Sequence, residues 1–336
     1  MTSLFIPVRF LTGKGSRVAD SAPLIATASA PVPPGGEAAW FEGAREARLR
    51  AALFPATRQV RGSVVLSGGR TEPIEKYFEV IEELRGRGFT VLAHDWRGQG
   101  LSQRLLPDRL MGHANGFKDF VADYAALIAA YETRLPKPWI AVGHSMGGCL
   151  TLLALALGQK GFSGAVLSAP MLGLQTGAVP RPLGRALATT LTSAGRGGSG
   201  VQGRSTSPIA ETFETNVLTH DRARYDRNQN QVKACPDLAL GGPTWGWLDF
   251  AFKAIAVLEA GPGVPRLDIP VTVVAAGADK LVDVAGQRRV TARIPAGRFV
   301  EISGAYHEIL QETDDIRAVF WREFDDLAAK VALQAA

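Results

Sequence analysis

WIAVGHSMGGCLTLLALAL, residues 139–157, reads as an apolar strand, a tight glycine-flanked turn and an apolar helix in direct succession. The turn is Gly143-His144-Ser145-Met146-Gly147, and the strand before it and helix after it give the Gly-x-Ser-x-Gly pattern its meaning. A sharp turn there holds the serine in a strained backbone conformation. Gly143 and Gly147 must then be small to leave room for crossing chains. The hydroxyl projects above a sheet, and the helix opening at Met146 aims its free N–H groups and positive dipole end at a reacting carbonyl oxygen. Ser145 is the expected nucleophile of an acyl-transfer reaction.

Outward from this stretch the chain alternates strand and helix. RLRAALFPA (48–56), GSVVLSG (62–68) and FTVLAHD (89–95) read as strands on one side, and GAVLSAP (164–170), VTVVAAGAD (271–279) and GRFVEIS (297–303) on the other. Residues 74–85, 117–131, 146–158 and 314–332 read as helices. Apolar strands alternating with helices predict an α/β fold, a mostly parallel sheet covered on both faces. The rhythm breaks from Met171 to Asp249, where no strand is expected. That stretch holds the glycine-rich loop GRGGSGVQG and helical pieces such as GRALATTLTS and WGWLDFAFKAIAVL. It is read as a mainly helical lid inserted after strand 6, at the sheet edge where α/β proteins place their sites. The Ala-, Pro- and Gly-rich segment ending in PVPPGGEAAWF reads as an extended surface arm pinned by Trp40 and Phe41. The organisation expected is an arm over 1–42, a body over 43–170 and 250–336, and a lid over 171–249.

Composition narrows the classes. With 336 residues, 46% apolar and 21% charged, the chain can bury a large core without staples, so Cys149 and Cys235 are read as free thiols, Cys149 as a buried small hydrophobe. A net charge of +5 spread over this length is a solubility property, and no basic run with interleaved aromatics argues for nucleic acid. MTSLFIPVRFLTGKG lacks the basic leader and cleavage site of a secretory signal. CLTLLALALG (149–158) falls short of the roughly 20 residues that span a bilayer. A cytoplasmic protein is expected, at most peripheral at a membrane, with no metal and no cofactor; the oligomeric state is open.

A serine hydroxyl needs a base, and histidine suits working pH. Of five histidines, His94 lies in a strand, His113 and His220 in polar stretches, and His144 adjoins the nucleophile; His307 alone follows the last strand, where a loop returns to the active edge. The acid should lie just beyond an earlier strand, and Asp279 fits, with Asp283 the runner-up. An oxyanion hole needs two backbone donors. Met146 follows the nucleophile, and Arg70 lies in the loop of VVLSGGRTEP, where Gly68 and Gly69 allow close approach. Asp95-Trp96-Arg97-Gly98-Gln99-Gly100 reads as a supporting turn at the same edge.

GHSMGG, DWRGQGLS, AGADKLVD, AYHEIL and GGPTWGW together resemble the lysophospholipase L2 and monoglyceride lipase branch of the α/β hydrolases, from about Arg48 to the C-terminus. LMGHANGFKDFVADY and NVLTHDRARYDRN are similar to the lysophospholipase side. The resemblance implies an α/β-hydrolase fold and hydrolysis of single-chain acyl esters, a lysophospholipid or monoacylglycerol, with Ser145, Asp279 and His307 on the triad positions. Monoglyceride lipases carry His-Gly before the oxyanion donor, whereas this chain has Gly68-Gly69-Arg70. Apolar residues of the lid (Leu174, Leu183, Leu187, Trp245, Trp247, Phe250) are candidates to hold the acyl chain, Trp245 and Trp247 foremost. An acyltransferase would use the same residues, and a catalytically silent binding protein on this fold is the second rival.

Overall fold

The computed structural model describes residues 18–201 and 212–335. The N-terminal stretch 1–17 and the last two residues of GRGGSGVQG lie outside them. Nine strands form one sheet in the order β1-β2-β3-β5-β4-β6-β7-β8-β9. They are β1 Val18–Ser21, β2 Glu37–Glu42, β3 Arg48–Phe54, β4 Gly62–Ser67, β5 Phe89–His94, β6 Trp139–His144, β7 Phe162–Ser168, β8 Val271–Ala276 and β9 Gly297–Ile302. β1, β2 and β3 pair antiparallel, β3 pairs antiparallel with β5, and every pairing from β5 to β9 is parallel. This is the mostly parallel α/β sheet that the strand pattern predicts.

Helices cover both faces. Alternation along a strand sends Leu49, Ala51 and Leu53 of β3 to one core with Val65 and Leu92, and Ala52 and Phe54 to the other with Val64, Leu66 and Val91. The first core is closed by α2 (Lys118–Tyr131), α3 (Ser145–Ala156) and α6 (Trp245–Ala260), the second by α1 (Phe78–Gly86) and α8 (Asp314–Ala335). α3 is buried from Ser145 to Leu155, which is why its sequence is apolar all round rather than on one stripe. α7 (Val284–Thr291) follows β8.

Four expectations change. Trp40 and Phe41 do not pin a surface arm: they are buried within β2, in register with Arg50 and Leu49 of β3, and the Arg48 guanidinium lies 3.7 Å over the Trp40 ring. The sheet therefore begins before residue 43. Five of the strands read from the sequence precede the insertion, and β1 and β2 make it follow the seventh in chain order, β7, not the sixth. The boundary at 249/250 falls inside α6, whose Phe250, Ala251, Ala254 and Leu258 belong to the body's core. The insertion itself carries α4 (Arg181–Leu191) and α5 (Arg222–Ala234). Leu183 and Leu187 on α4 face solvent, and Phe250 stacks on Phe120 with centroids 5.0 Å apart, so these three do not form one apolar wall.

Candidate active site

Ser145, Asp279 and His307 follow β6, β8 and β9 respectively, so parallel pairing carries all three to the sheet's C-terminal edge. Ser145 has φ +51°, the left-handed conformation that a non-glycine residue adopts only when its surroundings dictate it. The glycines beside it meet a steric demand. A Cβ on Gly147 would sit 2.3 Å from the carbonyl oxygens of both Ser67 and Gly68, and one on Gly143 would sit 2.8 Å from the Gly148 Cα.

The three side chains form one hydrogen-bonded row. His307 Nε2 lies 2.9 Å from Ser145 Oγ, and His307 Nδ1 lies 2.6 Å from Asp279 Oδ2. The other Asp279 oxygen accepts from the N–H groups of Leu281 at 2.8 Å and Val282 at 3.0 Å, which fixes the carboxylate's rotation. Burial works to raise the Asp279 pKa, but the hydrogen bond and charge of His307 and the two backbone donors outweigh it and hold the carboxyl below the usual range. Asp283 is engaged elsewhere: it caps the N-terminus of α7 through Ala285 and Gly286 and pairs with Arg181 at 2.5 Å.

The loop after β4 runs against Ser145, since a Cβ on Gly69 would approach the Ser145 Cβ to 3.0 Å. Arg70 follows; its guanidinium bonds the Gly241 carbonyl and lies 5.4 Å from the Trp247 ring centroid. Thr71 is held at φ +67°, a costly conformation for a β-branched residue. Its N–H donates to Gln99 Oε1 at 2.6 Å. The Asp95–Gly100 turn also supplies Trp96 Nε1, which donates to Gly68 O at 2.9 Å, and Asp95 Oδ1, which accepts from Ile74 N at 3.0 Å. Its hydrogen bonds thus fix the Gly68–Ile74 loop from one side. Met146, buried in the first turn of α3, lines a narrow pocket with Gln99, Phe120, Leu240 and Trp247; Trp245 does not reach it.

Sequence reading missed a buried ionic group behind this loop. Glu72 accepts from Gly69 N, from Tyr77 Oη at 2.5 Å and from Lys76 Nζ at 2.8 Å, and the same ammonium reaches Glu308 at 2.5 Å. Burial alone would raise the Glu72 pKa, yet the charge of Lys76 and the hydrogen bonds of Lys76 and Tyr77 bring it well below the usual range. Burial lowers His144 to about 4, leaving a neutral ring that sits 4.8 Å from the His307 ring. The i,i+4 spacing of Glu72 and Lys76 is a weak sequence signal, but Glu308 lies 232 positions from Lys76 and nothing in the sequence links them. Burial pushes the Cys149 thiol up to about 12, one turn along α3 from Ser145.

The chain matches the model of the family described as serine aminopeptidase, S33, over residues 58–314. It is 35% identical over 289 residues to lysophospholipase L2 of Escherichia coli (strain K12), covering 83% of each chain. It is 27% identical over 284 residues to a monoacylglycerol lipase of Mycolicibacterium smegmatis, covering 82% of this chain and 91% of that one. Among solved structures, a soluble variant of monoglyceride lipase from Saccharomyces cerevisiae superposes with a TM-score of 0.68 at 20% identity, over 87% of this chain and 94% of that one. A thermostable carboxyl esterase from Bacillus coagulans superposes at 0.70 and 19% identity, over 88% and 99%. These two share the fold.

Proposed function

From a chain that belongs to the lysophospholipase L2 and monoglyceride lipase branch of the α/β hydrolases, and so is a serine ester hydrolase acting on lipids, we propose a hydrolase of single-chain acyl esters, lysophospholipid or monoacylglycerol, working through an acyl-enzyme on Ser145. The observation that carries this reading is the row Ser145 Oγ, His307 Nε2, His307 Nδ1, Asp279 Oδ2, with separations of 2.9 and 2.6 Å. Ser145 Oγ attacks the ester carbonyl carbon while His307 Nε2 takes its proton, and Asp279 stabilises the imidazolium. The N–H groups of Met146 and Arg70 receive the oxyanion. Collapse breaks the bond to the alcohol, which leaves with the proton from His307. Water, deprotonated by His307, then attacks the acyl carbon, releases the fatty acid and restores the serine.

The insertion from Met171 is the proposed lid, and Trp247, beside Arg70 and Met146, is the better of the two tryptophans to meet the acyl chain. Among the described residues no helix is long and apolar enough to cross a membrane. Val179, Leu183 and Leu187 lie exposed at four-residue spacing on and just before α4, which supports peripheral contact with lipid.

The test is hydrolysis of p-nitrophenyl esters, monoacylglycerol and lysophospholipids by the wild type and Ser145→Ala. We expect turnover to fall at least about 10³-fold in the variant, and the ranking of the natural lipids to choose the head group. Adding an alcohol acceptor separates hydrolysis from acyl transfer. A wild type inert on every ester, or a variant as active as the wild type, would sink the reading.

A further inference from the structure

His307 lies between the end of β9 at Ile302 and the start of α8 at Asp314, on a loop without regular structure except a short turn at Ile309–Gln311. A catalytic base must be held within about 0.5 Å of its working position, which a loop does not provide by itself. The body holds this one through Lys76, which donates to Glu308, and through Ala278 N, which donates to Ala305 O at 3.0 Å; a denser set of hydrogen bonds comes from the front of NVLTHDRARYDRN, a segment of the insertion. Glu308 N donates to Leu218 O at 2.8 Å, and Thr219 Oγ1 donates to Gln311 O at 2.7 Å. His220 N donates to Glu312 Oε2 at 2.8 Å, while His220 Nδ1 lies 2.8 Å from Glu312 Oε1, which also accepts from Tyr306 N at 2.8 Å. The His220 ring stacks on Tyr306 with centroids 3.8 Å apart and planes 27° apart. Arg224 Nη1 donates to Glu312 O at 2.9 Å.

Both neighbours of the base are therefore gripped: Tyr306 through Glu312 and the His220 ring, Glu308 through Leu218. The gripping turn is preset, because Asn216 Oδ1 accepts from the N–H groups of Leu218 at 2.9 Å and Thr219 at 3.0 Å. Glu312 is completely buried with both carboxylate oxygens used as acceptors, so it cannot rotate without leaving donors unsatisfied.

We propose that the Asn216–Arg224 segment is a brace that sets the position of His307, with His220 and Glu312 as positioning residues; this rests on the reading of His307 as the base. The insertion then acts on the chemical step as well as on substrate entry. A segment that merely fastened the insertion to the body would affect stability and KM but would leave the base in place.

The experiment uses the full chain with His220→Ala, His220→Phe and Glu312→Gln. It reads kcat and KM on a water-soluble p-nitrophenyl ester, the rate at which a fluorophosphonate labels Ser145, and the downfield proton NMR signal of the His307–Asp279 hydrogen bond. For His220→Ala we expect kcat and labelling to fall about tenfold with KM within about twofold, as a small displacement of a base requires, and the downfield signal to broaden or vanish. His220→Phe, which keeps the stack on Tyr306 but loses the Glu312 contact, should fall between. His220 has 42% of its side chain exposed, so its variants decide the matter even if Glu312→Gln fails to fold. Folded His220 variants with unchanged kcat, labelling and downfield signal overturn the brace while leaving the hydrolase standing. A wild type that labels and hydrolyses nothing overturns both.

Discussion

Replacing Asp279 by asparagine removes one charge and alters almost no shape, and the structure dictates where the new amide must point. Asp279 Oδ1 accepts from Leu281 N and Val282 N, so the amide oxygen has to stay there, and the NH₂ group takes the place of Oδ2 opposite His307 Nδ1, 2.6 Å away. A donor facing Nδ1 forces that nitrogen to accept, which moves the ring proton to Nε2, 2.9 Å from Ser145 Oγ. The base then has no lone pair for the serine proton. We expect kcat to fall about 10³- to 10⁴-fold, roughly 4–5.5 kcal/mol at 1.36 kcal/mol per decade, with KM little changed. Asp283→Asn is the control. Asparagine caps α7 as well as aspartate does, and the partly exposed pair with Arg181 contributes under about 1 kcal/mol, so kcat should stay within about twofold. The assay is steady-state hydrolysis of a soluble ester with active-site titration, so that inactive protein is not counted. An Asp279→Asn enzyme that retains a tenth of wild-type kcat, or an Asp283→Asn enzyme that loses as much as its neighbour, refutes the reasoning.

Gly147→Ala pits helix propensity against sterics. Propensity alone would stabilise α3 by about 1 kcal/mol, but the new methyl would lie 2.3 Å from two backbone carbonyl oxygens at the end of β4, which cannot move aside as a side chain can. A net loss of at least about 2 kcal/mol in chemical denaturation is expected, and a variant as stable as the wild type would show that the elbow is looser than described. Glu79 is gripped by Arg224, Arg227 and Arg317, and despite burial these bring its pKa from an ordinary 4.5 to about 2. A depressed pKa stabilises the fold above pH 4.5 and ceases to do so as pH falls through about 2. Discounted for partial exposure, Glu79→Gln should cost about 1–2 kcal/mol at neutral pH, and its denaturation profile should converge on the wild type near pH 2; parallel profiles would remove the claim.

What could be read from the sequence was whatever left a local signature. GSVVLS and WIAVGH are buried on both faces and so are apolar without alternation, and Ser145 and Asp279 each stand just past such a run, whereas His307 follows GRFVEI, a half-exposed strand at the sheet edge. β2 escaped because EAAWFE follows a Pro- and Gly-rich lead-in and pairs antiparallel near the sheet edge, where a strand need not be apolar throughout. The end of the insertion escaped because WGWLDFAFKAIAVL is apolar from the insertion into the body, with no polar break at 249. The Lys76–Glu308 contact and the His220–Glu312 brace escaped for a different reason. Their partners are 232 and 92 positions apart, and bonds between single side chains and distant loops impose no period on the chain.

α6 has a consequence for anyone who would recombine this scaffold. Its N-terminal end is capped by Thr244 and its outer face meets the insertion through the Asp249–Thr189 bond, while its inner face fills the same core as α3. A cassette exchanged at residue 249 would cut that helix and import half of a foreign core. The transferable module ends before Thr244, and its donor must supply a surface that fits the outer face of a helix belonging to the recipient. Such transplants among relatives should succeed according to how closely the two versions of α6 agree, and sequence similarity across the rest of the insertion should count for much less.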